Sequence, residues 1–390
     1  MPQTLDSVPR IRYSSRMNFN IASLPDFYQP NLARIELAKA RQAAVLRGDT
    51  PDRWPIVLWS PLTAEQEQIP SANYKEAFED IDRMLCSQVR SACNAANSGS
   101  DAVPSVRGNY GVGVLLSVLG LEQLVFTDKM PWPNEHLTQT QVEQLVPGEI
   151  EVRGTFANGL EFMRRHREIM GDNPPAYCLD TQGPFDLAHL VMGDAIFYAI
   201  YDAPELVHHL LEWCVTAIIQ ASEQMKSISG EGHSECYHTN HLYGDNMGVR
   251  MCEDTTLLIS PDAMQEFAMP YTRRVAQHFG GAWIHYCGQN DHLSQFICDM
   301  PEIRAINFGH VPGNDYSDRF APDLQRCVDT GTVYVGDWPK PDGETSADYL
   351  RRLHHWASQG ALIPNANAAI TDNKDDFTTT KEVLDFWYSL

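Results

Sequence analysis

The segment Trp283-Ile284-His285-Tyr286-Cys287-Gly288 carries the clearest chemical signal in this sequence. It reads as a short strand that ends in a glycine turn. Side chains two apart on a strand point the same way, so His285 and Cys287 share a face. An imidazole and a thiolate on one face are two good zinc ligands. A His-x-Cys pair is also short, and cysteine is among the most often buried residue types. The pair alone is therefore compatible with plain packing.

A catalytic zinc takes about three protein ligands. The third is expected from another strand end. His238 and His241 follow the strand-like run Cys236-Tyr237-His238-Thr239, with Asp245 in the same loop. Asp337, Asn365 and Asn367 end later strands, but asparagine is a weak zinc ligand, so His238 and His241 are the better candidates. The plainer reading of either histidine is a structural hydrogen bond or a solvent-facing loop. His310 follows the strand Ile303 to Phe308, and a pKa near 6.5 suits a general acid or base. Tyr243 and Asp245 are the other candidate catalytic groups. Trp59, Asp180, Asn307, Asp337 and Asn367 are candidate substrate contacts. Cys178 and Cys236 could face an interior, whereas Cys86, Cys93, Cys214, Cys252, Cys298 and Cys327 read as ordinary buried thiols.

These residues need a frame. The 390 residues are 43% hydrophobic and 21% charged, the profile of a globular chain with a sizeable core. The net charge of -22 is a poor match for nucleic acid or anionic membranes, which need a basic footprint. Nine cysteines without a CxxC suggest a reducing compartment rather than a disulfide framework. No basic-then-apolar leader and no run of about 18 apolar residues is seen, so a cytoplasmic location is expected.

Residues 1–50 read as a polar arm followed by a helix from Pro30 to Arg47, with Pro30 in its first turn. From residue 51 strand-like and helix-like segments alternate. Strands are predicted at 56–59, 101–104, 177–180, 236–239, 282–287, 303–308, 333–336 and 361–363, with a loop from Asn240 to Arg250. Helices are predicted at 74–95, 204–229, 260–278, 291–299, 322–330, 346–358 and 381–388. Ser260 and Pro261 mark a helix start. This alternation implies a parallel sheet covered by helices. Without a GxGxxG or a P-loop, it favours a (β/α)8 TIM barrel over residues 51–390, preceded by an N-terminal helical extension. On such a barrel His285 and Cys287 lie at the mouth.

The segments Gln182-Gly183-Pro184-Phe185, Tyr201-Asp202-Ala203-Pro204-Glu205-Leu206-Val207, Glu253-Asp254, Ile259-Ser260-Pro261, Pro270-Tyr271, and Phe279-Gly280-Gly281 leading into His285-Tyr286-Cys287-Gly288 stand in this order along the chain. Together they resemble the uroporphyrinogen decarboxylase superfamily, which includes zinc-dependent methylcobamide:coenzyme M methyltransferases. The likeness runs from about Pro51 onward and implies a TIM barrel. Two departures stand out. The arginines that hold porphyrinogen carboxylates after the first strand are absent from Trp59-Ser60-Pro61-Leu62-Thr63-Ala64. In the methyltransferases a distant cysteine on the last strand completes the zinc site, and here Ala366 stands there.

The resemblance implies metal-assisted methyl transfer between a small-molecule donor or acceptor and a corrinoid carried by a partner protein, and it is compatible with a homodimer. Two alternatives stay open. One is a decarboxylase of a small or tetrapyrrole acid, using Asp101, Asp180 or Asp245 with Tyr243 or His310. The other is a binding barrel that has lost catalysis.

Overall fold

The computed structural model describes residues 19–148, 150–238, 241–309, 321–341, 343–370 and 377–390. Up to residue 244 its strands are short. β1 (Gln123–Leu124) and β2 (Trp132–Pro133) form an antiparallel ribbon. β3 (Cys236–His238) and β4 (Leu242–Gly244) form a second antiparallel pair. β5 (Val249–Cys252), β6 (Ala282–Cys287), β7 (Ile303–Gly309), β8 (Val333–Asp337) and β9 (Leu362–Asn365) then make one parallel sheet in chain order. Parallel neighbours need crossovers. The helices Met269–His278, Asp291–Cys298, Ala321–Thr330 and Ser346–Ala357 lie on those crossovers. The fold is a mixed α/β architecture with a five-stranded parallel sheet.

The sheet has two apolar faces, which is why its strands read as continuous apolar runs. Ile284, Tyr286, Ile306, Phe308, Tyr334 and Leu362 join the large core beneath the helices. Trp283, Ala305, Val333, Val335 and Ile363 point the other way, into a separate cluster with Val57, Ala102, Cys236, Leu242 and Met247. Burying one such large side chain contributes roughly 1.5–3 kcal/mol, so both faces are held strongly. His285 and Cys287 continue the Trp283 face toward the strand end.

Three of the expected strands are reduced to bridges or single hydrogen bonds. Val57 N–H donates to Pro364 O (2.9 Å) and Ala366 N–H to Val57 O (3.1 Å). Asp101 N–H donates to Ile56 O (3.0 Å), Val106 N–H to Pro175 O (3.0 Å) and Tyr177 N–H to Val106 O (3.1 Å). The expected helix over 74–95 is two helices, Tyr74–Glu79 and Ile81–Asn97. Asp80 divides them because its side chain caps Asp82 N–H and Arg83 N–H. Pro30 lies just outside the N-terminal helix, Leu32–Leu46, which Asn31 caps. That helix is tied to the rest of the chain by Arg41, which pairs with Asp52 and Asp101 at 2.7 Å each. Among the described residues no helix is long and apolar enough to cross a membrane.

His166, in the helix Gly154–Met170, is buried, and burial lowers its pKa from 6.5 to about 4. The folded chain therefore holds it neutral, and the unfolded chain takes up the proton first. Its contribution is intact above the unfolded value and is lost as pH falls toward the folded one. The shift corresponds to about 3 kcal/mol. Urea midpoints are expected to drop across that window, and to drop less in His166→Gln. An equal drop in both proteins would assign the acid sensitivity to other groups.

Candidate metal centre

Strand register builds the centre. The β5–β6 pairing sets Cys252 beside His285. The β6–β7 pairing sets His285 beside Asn307 and Cys287 beside Gly309. Cys252 Sγ, a carboxylate oxygen of Asp254 and a ring nitrogen of His285 lie within 4.8 Å of one another. Cys287 Sγ is 3.4 Å from His285 Nε2. Cys252 Sγ is 3.6 Å from Asp254 Oδ2, and Asp254 Oδ1 is 4.0 Å from His285 Nε2. Tetrahedral zinc, with bonds of about 2.0–2.3 Å, separates its ligands by about 3.3–3.8 Å. The 3.4 and 3.6 Å pairs match those separations and the 4.0 Å pair is slightly longer, and a mixed sulfur, nitrogen and oxygen set suits zinc.

Asp254 lies just past β5 and is held from several sides. Its N–H donates to Asp186 Oδ2 (2.7 Å), and Thr255 N–H donates to Asp186 Oδ1 (2.6 Å). Cys287 N–H donates to Asp254 Oδ1 (2.5 Å). Asp186 sits in the first turn of the helix Pro184–Met192, which Gly183 precedes. Gly183 N–H donates to Cys252 O (2.8 Å). A Cβ at Gly183 would stand 2.5 Å from Cys252 O and from Glu253 Oε1. Only glycine lets the helix start come this close to the end of β5. At Gly309 a Cβ would lie 2.6 Å from Cys287 Sγ, so that glycine leaves room for the thiol.

Burial governs the ionisation of these groups. It raises the Cys287 thiol to about 12, with Asp254 adding to the effect. It raises Cys252 well above its ordinary value. Burial and then Arg250 lower His285. Asp186 is pushed well up by burial and by Glu253 and Asp254. Burial raises Glu253 to about 7, while the hydroxyls of Thr256 and Thr272 donate to it. A divalent cation inverts such logic by stabilising thiolate, so metal uptake at this cluster releases protons.

The other candidates fall into several places. Asn307 Oδ1 lies 2.7 Å from His285 Nδ1. Asn367 Oδ1 accepts from Trp59 N–H (3.0 Å), and Asn367 Nδ2 donates to Asn365 Oδ1 (2.5 Å). Those three residues lie together at the β9 end. Asp337 is exposed at the end of β8. Asp180 accepts from Arg250 Nη1 (2.6 Å) and lies 3.7 Å from Arg107. Burial pushes its pKa up, but Arg250 and Arg107 more than offset this and hold it low. His310 lies outside the described residues. Ala366 is buried after β9.

His238 and His241 stand apart from the cluster of Cys252, Asp254 and His285. His238 packs edge-on against Trp283, with ring centroids 3.9 Å apart. Burial drives its pKa well down. His241 has a left-handed φ of 58°, and burial lowers it to about 4. Tyr243 OH donates to Glu235 Oε1 (2.6 Å), and Asp245 pairs with Arg47. The stretch over 240–250, expected as a loop, instead holds β4 and the first residues of β5. β4 folds back along β3, and Asn246 then packs on Gly281, where β6 begins. Tyr243 and Asp245 therefore lie away from the strand end that carries Cys287.

Cys252 and Asp254 are the donors that sequence reasoning missed. Their signal was present as a Cys-x-Asp pair at a strand end, with the same i, i+2 spacing as His285 and Cys287.

No protein-family model matches this chain, and no curated protein matches it. Among solved structures, a methyltransferase from Methanosarcina mazei shares its fold, with a TM-score of 0.60. The two chains are 18% identical, over 84% of this chain and 92% of that one. At that identity the likeness is one of fold. Fold and site together define a mixed α/β protein with a three-donor cluster of Cys252, Asp254 and His285, and Cys287 beside His285, where parallel strands end.

Proposed function

We propose that this chain is a zinc-dependent methyltransferase of the uroporphyrinogen decarboxylase-like kind, acting with a corrinoid carried by a partner protein. One observation carries the reading: the donors of Cys252, Asp254 and His285 gathered at adjoining strand ends, with Cys287 Sγ next to the His285 ring. In this reading Cys252 of β5 takes the part of the last-strand cysteine that Ala366 replaces. The sheet closes into a (β/α)8 barrel. The hydrogen bonds that run from β9 through Val57, Asp101, Val106 and Tyr177, and from Gly183 to Cys252, support that closure. The parallel-strand ends are where such barrels keep their sites, and the shared fold with a methyltransferase agrees.

Zinc held here would supply Lewis acidity, lowering the pKa of a thiol substrate or polarising a methoxy or amine substrate. The protein's own groups do the positioning. Asp186 fixes the Asp254 loop, and Asn307 fixes the His285 ring. Gly309 leaves space beside Cys287. Trp59, Asn365, Asn367 and Asp337 line the side of the mouth left for the organic substrate. The protein works in the cytoplasm.

Decarboxylation comes second because Tyr243 and Asp245 are engaged with Glu235 and Arg47 beside the helix Leu32–Leu46. A purely structural barrel comes third. Convergent, part-buried donors cost free energy unless they are used.

The test is metal content of tag-free protein purified without chelators, followed by methyl transfer between methylcobalamin and simple thiols. About one zinc per chain and a thiol-dependent loss of the methylcobalamin spectrum are expected. A parent protein that stays metal-free when zinc is supplied would sink the reading.

A further inference from the structure

Asn307 is bonded on both ends of its amide. Nδ2 donates to Val335 O (2.6 Å) and to Tyr334 OH (3.4 Å). The Tyr334 hydroxyl donates toward Asp337 O (2.9 Å), with Phe308 O a longer alternative (3.5 Å). A flipped amide would set Oδ1 against the Val335 carbonyl, acceptor facing acceptor at the shortest contact of the group. The network thus excludes the flip. Oδ1 must face His285, and at 2.7 Å His285 Nδ1 must be the donor.

We infer that Asn307 is a positioning residue that holds His285 in its Nδ1–H tautomer, so that the Nε2 lone pair points at Cys287 and Asp254. A neutral imidazole carries one ring proton, and the partner of one nitrogen decides what the other can do. Ligating histidines are generally oriented in this way by an acceptor behind them. Asn307, expected from the sequence as a substrate contact, has this positioning part in the inference. It acts on the centre through His285, and the chain Asp337–Tyr334–Asn307 carries the constraint in from the next strand. What the lone pair is for rests on the proposed metal centre. The tautomer itself does not.

The experiment is nitrogen-15 NMR of imidazole-labelled, metal-free protein, with His285→Gln to assign the signal. In the parent, Nδ1 is expected to be protonated and Nε2 bare. In Asn307→Leu that preference is lost, and zinc affinity measured by chelator competition falls about 10–100-fold. A purely structural role would lower the unfolding midpoint of Asn307→Leu and leave the tautomer alone. A parent ring protonated at Nε2, or an unchanged tautomer in Asn307→Leu, would overturn the inference. A parent that binds no zinc would remove the methyl-transfer reading instead, while the tautomer measurement would still decide this one.

Discussion

Alanine in place of Cys252 is expected to weaken zinc binding as severely as alanine in place of His285 or Cys287, by about two to three orders of magnitude. Structural zinc sites bind with roughly 10–16 kcal/mol over about four ligands, so each ligand accounts for roughly 2.5–4 kcal/mol, at about 1.4 kcal/mol per tenfold. Cys252 is the informative position because its surroundings look ordinary: a buried thiol in a strand. What sets it apart is register. It pairs with His285 across β5–β6, and its sulfur lies 3.6 Å from Asp254. Cys327→Ala, a buried thiol beneath the helices, serves as the control and should bind like the parent. Competition with a chromophoric chelator at fixed pH reads the four variants and the parent. If Cys252→Ala keeps the parent affinity, β5 is no part of the centre and the ligand set must be redrawn.

Gly183→Ala is expected to destabilise the fold by about 3 kcal/mol or more and to displace Asp254. The new methyl would meet the Cys252 carbonyl and the Glu253 carboxylate at 2.5 Å, and a backbone carbonyl cannot swing aside as a side-chain end can. Relief requires the helix start to back away. That would break the Gly183–Cys252 hydrogen bond and carry off Asp186, the acceptor for Asp254 N–H. Gly171→Ala is the comparison. Gly171 has a φ of +66° with open space around it, so only the conformational cost of about 1–2 kcal/mol applies. Urea unfolding separates the two variants. A Gly183→Ala protein as stable as the Gly171→Ala protein would mean that the junction of β5 and the helix yields easily.

β6 to β9 were legible because each is apolar, short and bounded by a glycine or a cap, whereas β5 (Val249–Cys252) was not, since it begins inside the stretch read as a loop. His285 and Cys287 were legible as a pair because i, i+2 spacing needs no partner strand. Cys252 and Asp254 were not, since their value depends on which residue β5 places beside β6, and register is a property of two segments. Tyr243 and Asp245 misled for a related reason. A reversal after His238 reads like any polar loop, but here it sends the chain back antiparallel. Strands at 56–59 and 101–104 were legible in type, yet tertiary packing leaves only a few ladder bonds to each.

The pairing of β5 with β6 has one more consequence, in chain entropy. The donors at 252 and 254 and those at 285 and 287 bracket the whole crossover between the two strands. A metal gripped at both ends would tie that crossover into a ring, much as a disulfide does. The helix Met269–His278 could then not leave the sheet together with its strand without surrendering a ligand. Chelation should therefore loosen this crossover before the rest of the molecule, and amide hydrogen exchange along β5 and β6 should report it first.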